Sequence, residues 1–175
     1  AEIIRMFNSA FNEITGNTDD YWPTDLREQI ADINERVYET VNNGVYKAGF
    51  ATSQDAYDDA VHPLFDSLAW LESILENNRF LAGDKLTEAD WRLFTTLARF
   101  DLVYHTHFKC NHKRLIDHPN LWAYTRQLYQ HADIAETVHF DHIVRHYHFS
   151  QTTVNPHQII PINPTVDFTA PHGRD

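Results

Sequence analysis

Apolar residues recur at spacings of three and four along most of this chain, the period of a helix with one buried face. Ile3, Phe7, Ala10, Phe11 and Ile14 predict a helix over residues 2–13. Gly16 to Asp20 is loop by its turn residues. Leu26, Ile30, Ile33, Val37 and Val41 predict a second helix, opened by Pro23 and a capping Thr24. Asn42-Asn43-Gly44 is expected to end it, with Gly44 in the left-handed region. Residues 45–51 then read as a short aromatic connector. Ala56, Ala60, Leu64, Leu68, Leu71 and Leu75 form the stripe of a long helix capped by Ser53 and lasting to about Asn77, with Pro63 inside it.

The best-marked helix start lies at Phe80 to Phe94. Thr87 suits an N-cap, Asp90 stands at the reciprocal position of a capping box, and Leu86 and Trp91 sit where a hydrophobic staple would. Trp91, Leu93, Phe94, Leu97, Ala98, Phe100, Leu102 and Val103 are apolar on more than one face. They predict a central helix buried on most sides and reaching about Tyr104. Residues 105–117 read as irregular. Pro119 suits a first helical turn, followed by Leu121, Tyr124, Leu128 and Tyr129. Short helices are expected at Ile134–Val138 and Phe140–Tyr147. Four prolines after His148 then mark an extended tail. No strand pattern or internal repeat stands out. The fold class is all-α: one domain over 1–175, a helical bundle over about 1–147 and a tail over 148–175.

Composition narrows the function more by exclusion. The 175 residues carry 14 Lys and Arg against 25 Asp and Glu, a net charge of -11, which argues against a nucleic-acid surface. No apolar run is long enough to span a bilayer. Cys110 is the single cysteine, so an intrachain disulfide is impossible and a reducing, cytoplasmic setting is expected. The helix-like start at Ala1, without an initiator Met or a cap, predicts a cut at a domain boundary.

Candidate chemistry is sparse. His142 and His146 are one helical turn apart, but no acidic ligand stands at a matching distance, so solvated histidines are the better reading and no metal is expected. Cys110 lies between His107 and His112, yet an unpartnered cysteine is more often inert. Tyr46, Tyr104 and Tyr147 all fall at expected element ends, where a phenol can reach a cleft and donate to an oxyanion. The plain alternative is three rim or core tyrosines. There is no phosphate-binding glycine loop and no nucleophile elbow.

The stretch Phe-Leu-x-Gly-x-x-Leu-Thr-x-Ala-Asp from Phe80 to Asp90 resembles the helix-start motif of the C-terminal domain of cytosolic glutathione transferases. Arg5–Asn8, Tyr38–Ala51, Phe100–Tyr104, His107–Asn111, Asn163-Pro164 and Pro171–Arg174 are similar to the Xi class, the glutathionyl-hydroquinone reductases. The block Asn-Asn-Gly-Val-Tyr-Lys-Ala-Gly-Phe-Ala is specific to it, and the likeness covers essentially the whole chain.

That resemblance implies a thiol exchange. A thiolate attacks the sulfur of a glutathionyl-hydroquinone, hydroquinone leaves, and a second glutathione resolves the mixed disulfide. The nucleophilic cysteine belongs to an N-terminal thioredoxin-like domain that this chain lacks, as does most of the glutathione site, and Cys110 does not match it. The fragment alone is therefore expected to be inactive. Tyr46, Tyr104 and Tyr147 match the family tyrosines around the quinol oxygens. The implied co-substrate is glutathione and the implied assembly a homodimer, with no nucleic acid, membrane or metal. Two alternatives stay open at this point: a non-catalytic transferase-like interaction domain, and a His-rich metal-binding protein.

Overall fold

The computed structural model describes residues 2–174, and among them secondary structure is helical throughout, with one isolated bridge between Phe80 and Gly83. The first expected helix is two short ones, α1 (Glu2–Phe7) and α2 (Asn12–Thr15). Neither has a buried residue, so no packing holds residues 8–11 in line. Thr24 lies inside a 3₁₀ turn, Thr24–Leu26, rather than capping; α3 follows at Arg27–Val37 and buries Ile30, Ile33 and Val37.

The structure departs most from the expectations at residues 38–51. Tyr38–Asn42 form a π-helical turn, closed by the amide of Asn43 on the carbonyl of Tyr38 at 2.9 Å. The chain then continues as α4 (Gly44–Gly49). Gly44 does not end a helix in the left-handed region; it opens the next one, where the Cβ it lacks would stand 3.8 Å from that of Leu64. What reads as an aromatic connector is therefore a helix, and its burial of Val45 and Ala48 accounts for the apolar sequence.

The long α5 (Gln54–Asn77) starts where Ser53 accepts the amide of Ala56, carries Pro63 inside, and packs chiefly against α4 and α8. The tight turn at Phe80–Gly83 leads into α6 (Glu88–Leu97) through the Thr87–Asp90 capping box. Asp90 is fully buried. Its carboxylate accepts the amides of Leu81 (3.0 Å) and Thr87 (2.8 Å), the Thr87 hydroxyl (2.9 Å) and the Tyr124 hydroxyl (2.7 Å). The cap thus also ties α6 to α8.

The central helix does not run unbroken to Tyr104. It stops at Leu97, turns at Ala98-Arg99, and resumes as a second π-helical turn, Phe100–Tyr104, fully buried, before the single turn of α7 (His105–His107). Glu72 of α5 caps α8 (Pro119–Tyr129) by accepting the amides of Asn120 and Leu121 at 2.8 and 2.7 Å. The short α9 (Ile134–Thr137) and α10 (Phe140–Ser150) complete the bundle, so the last helix runs slightly past the expected boundary.

The tail is irregular as expected, but it is anchored rather than simply laid on the surface. Phe168 is buried among Trp122, Tyr129 and Phe140. Arg174 donates to the carbonyls of Leu75 (3.1 Å), Asn78 (2.8 Å) and Arg79 (2.9 Å) at the end of α5 and just beyond it, as well as to the Gln127 side chain (3.2 Å). A basic side chain therefore covers the Leu75 carbonyl, which the helix end leaves without an intrahelical partner, and two carbonyls of the segment that follows.

Candidate functional site

Tyr46, Tyr104 and Tyr147 come from three separate elements and meet. Tyr46 lies within α4, Tyr104 closes the second π-helical turn, and Tyr147 lies within α10; only Tyr104 sits at an element end. The Tyr147 hydroxyl is 2.5 Å from that of Tyr46 and 3.0 Å from that of Tyr104. Phe108, fully buried, supports all three rings. It stacks on Tyr104 at 5.5 Å and 13°, and lies 5.3 Å from Tyr46 and 5.9 Å from Tyr147. That packing depends on Gly49, where an added Cβ would fall 2.2 Å from the Phe108 ring.

The hydrogens of the three phenols can be ordered from burial. Tyr104 is 2% exposed and Tyr147 6%, whereas Tyr46 is 38% exposed. The one hydrogen-bond partner of the Tyr104 hydroxyl among the described residues is Tyr147, and a buried hydroxyl left without an acceptor costs about 1–3 kcal/mol. Tyr104 therefore donates to Tyr147. Each phenol has one proton, so Tyr147 donates to Tyr46, and the Tyr46 proton is left for the cleft. Burial raises the pKa of Tyr104 far above the usual phenol range, and the Tyr147 charge would add to this. Burial likewise pushes Tyr147 up to about 12, against the hydrogen bond from Tyr104 and the charge of Arg99. Both stay neutral donors at physiological pH.

The cleft they open into has a volume of about 860 Å³. Its walls include Phe7, Trp22, Tyr38 and Trp91, and its polar groups include Asn42, Arg92 and Arg99. Glu88, nearly fully buried below it, accepts from Arg5 (3.1 Å) and Asn34 (2.8 Å), with Arg92 at 3.5 Å. The Arg5 guanidinium lies 3.5 Å over the Trp22 ring. Asn42 donates to the Arg92 carbonyl and to the Thr96 hydroxyl, joining the first π-helical turn to α6.

Cys110 is fully buried, and burial pushes its thiol up to about 12, so it is no thiolate at neutral pH. His139 and His142 are 5.2 Å apart ring to ring, and His142 is largely exposed. No group of three His, Cys, Asp or Glu among the described residues is placed to hold a metal ion. No helix among the described residues is long and apolar enough to cross a membrane.

Residues 54–127 match the family described as glutathione S-transferase, C-terminal domain. Over all 175 residues the chain is 57% identical to the glutathionyl-hydroquinone reductase YqjG of Escherichia coli, of which it covers 53%. It is 51% identical to the glutathionyl-hydroquinone reductase PcpF of Sphingobium chlorophenolicum, with 94% of this chain and 52% of that one aligned. The glutathione-bound structure of YqjG superposes with a TM-score of 0.97 over 99% of this chain and 56% of that one. The Xi-class transferase of Natrialba magadii superposes with a TM-score of 0.96, at 51% identity, over 99% of this chain and 53% of that one.

The chain is a C-terminal helical domain of the Xi-class glutathione transferases.

It spans about half the length of the curated relatives it matches. Within this Xi-class domain, sequence reasoning singled out the tyrosines but passed over Phe108 as their support and Arg99 as a cleft residue. Phe108 carries little local signal: beyond Tyr104 and His107, its ring neighbours Tyr46, Phe50 and Tyr147 lie in or just after α4 and in α10. Arg99 reads as an ordinary charge inside a helix until the helix is seen to break there.

Proposed function

We propose that this domain supplies the hydrophobic-substrate site of a glutathione-dependent reductase that converts glutathionyl-hydroquinones to hydroquinones by thiol exchange. The observation that carries this reading is the phenol chain Tyr104–Tyr147–Tyr46, which ends in a free donor at the wall of an aromatic cleft. The nucleophilic cysteine and most of the glutathione site are assigned to the rest of the polypeptide. The whole protein is assigned a homodimeric state and a cytoplasmic location on the resemblance alone.

In the proposed reaction a thiolate forms a disulfide with the conjugate sulfur. The ring first passes to its keto tautomer, the proton of the neighbouring hydroxyl moving to the carbon that bears sulfur. The C–S bond then breaks, its electron pair passes through the ring to that oxygen, and the oxygen takes up a proton so that hydroquinone leaves. Glutathione then displaces the enzyme thiolate and leaves as oxidised glutathione. Negative charge develops on a ring oxygen as the C–S bond lengthens. A preorganised O–H in a water-poor cleft stabilises that charge more than the neutral ground state, which is where rate is gained. Tyr46 is the group placed to touch the ring oxygen. Tyr147 and Tyr104 act through it, each polarising the next hydroxyl.

The full-length enzyme with glutathionyl-menadiol tests this. Tyr46→Phe is expected to lower kcat by about 10²-fold, the scale of one lost oxyanion donor, with little change in melting temperature. Tyr104→Phe, two bonds removed, is expected to cost less than Tyr147→Phe. Full activity in the triple Phe variant would sink the assignment. Turnover by residues 1–175 alone would show that the nucleophile had been misplaced.

A further inference from the structure

Of the charged groups that line the cleft, Asp19, Glu88, Arg92 and Arg99, only Glu88 and Arg92 pair with one another among the described residues. Arg5 and Arg92 share the Glu88 carboxylate. Arg99, half-buried at the break between α6 and the second π-helical turn, pairs with no carboxylate among the described residues. Its recorded partner is the Thr95 carbonyl, at 2.5 Å. A guanidinium has five N–H donors, so most of its donor capacity is unused on the protein side. It lines the same cleft as the three tyrosines, and its charge reaches the Tyr147 phenol. The burial argument leaves the Tyr46 proton directed into that cleft as well. Two donors thus face one space in which neither is bonded to a carboxylate among the described residues; Asp19, which also lines it, bonds to neither, and the chain's net charge is -11.

We propose that Arg99 makes the cleft select quinols bearing an anionic ring substituent, a carboxylate or sulfonate, beside the hydroxyl held by Tyr46. This deepens the quinol reading of the cleft and rests on it. The planar guanidinium fork matches a carboxylate through two parallel hydrogen bonds, and an ammonium in its place would keep the charge but lose the fork. Arg99 is then a specificity residue for the ring.

The test uses the full-length protein and two probes, hydroquinone and 2,5-dihydroxybenzoate, each free and as its glutathionyl conjugate. Binding of the free quinols is followed by the fluorescence of Trp22 and Trp91, and turnover of the conjugates by release of quinol. The wild type is expected to favour the carboxylated member of each pair by about tenfold, the scale of one charged hydrogen-bonded contact. Arg99→Gln should bring both ratios close to one, and Arg99→Lys should keep part of them. Turnover of both conjugates without a preference would overturn the proposal; a carboxylate from the rest of the polypeptide pairing with Arg99 would have that effect. An equal rise of KM for both conjugates and for glutathione in Arg99→Gln would also overturn it, placing Arg99 at the glutathione moiety. Preferential binding of the carboxylate with no turnover of either conjugate would instead leave the anion site standing and remove the reductase reading.

Discussion

Asp90 shows how much one residue can organise. Its two carboxylate oxygens accept two amides and two hydroxyls from three segments, so the start of α6, the Phe80–Gly83 turn and α8 share one acceptor. Burial still outweighs these bonds and raises its carboxyl above the usual range. Replacing it by Asn keeps the shape but turns one oxygen into an NH₂ that faces donors. Asp90→Asn is expected to lose roughly 2 kcal/mol or more, since buried donors left unsatisfied cost about 1–3 kcal/mol each. Urea unfolding measures this, and an unchanged midpoint would contradict it. Glu88, two residues earlier, concentrates charge in the same way at the cleft floor.

At the scale of elements, the tail behaves as a strap. Gln130 accepts no part of it but donates to the carbonyls of Phe168 (2.7 Å) and Ala170 (2.8 Å), while Arg174 holds the end of α5. Arg174→Ala is expected to cost about 1–2 kcal/mol, from three backbone carbonyls losing a charged donor, and to speed chymotryptic cleavage at Phe168. Equal cleavage rates in variant and wild type would show that the strap does not depend on its end. The long α5 and the capped start of α6 were legible because a six-position stripe and a capping pair are local signals. α4 was not. Six residues with glycine at both ends look like punctuation, and the reasons for those glycines, Leu64 beside Gly44 and Phe108 beside Gly49, lie elsewhere in the chain. The meeting of the tyrosines was expected only through family resemblance. No spacing places residues 46, 104 and 147 together, because packing between distant helices decides it.

For the molecule as a whole, pH enters through buried histidines. Burial lowers the pKa of His107, His118 and His148 from 6.5, and the Nε2 atoms of His118 and His148 have no partner among the described residues. The folded state thus resists protonation that the unfolded chain accepts. Stability contributed by these groups is present above pH 6.5 and is lost as pH falls below it, by at most ~1.4 kcal/mol per pH unit for each histidine. Asp90 and Asp101, whose carboxyls burial raises, act in the opposite sense, so the informative quantity is a difference. The double variant His118→Gln, His148→Gln is expected to lose less stability than the wild type between pH 7 and 5.5. Identical slopes in urea melts would refute this.

The two π-helical turns carry a constraint of a different kind. Each turn holds one residue more than an α-helical turn would, and each lies just before or at a tyrosine of the triad, Tyr38–Asn42 ahead of Tyr46 and Phe100–Tyr104 at Tyr104. Losing one residue from the first would turn everything downstream in α4 by about 100°. Tyr46 would then face away from Tyr147 while every side chain kept its identity. For this domain the number of residues between Val37 and Tyr46 is as much a part of the site as the tyrosine itself. A relative with one residue fewer there would align with every phenol present and still lack the cluster.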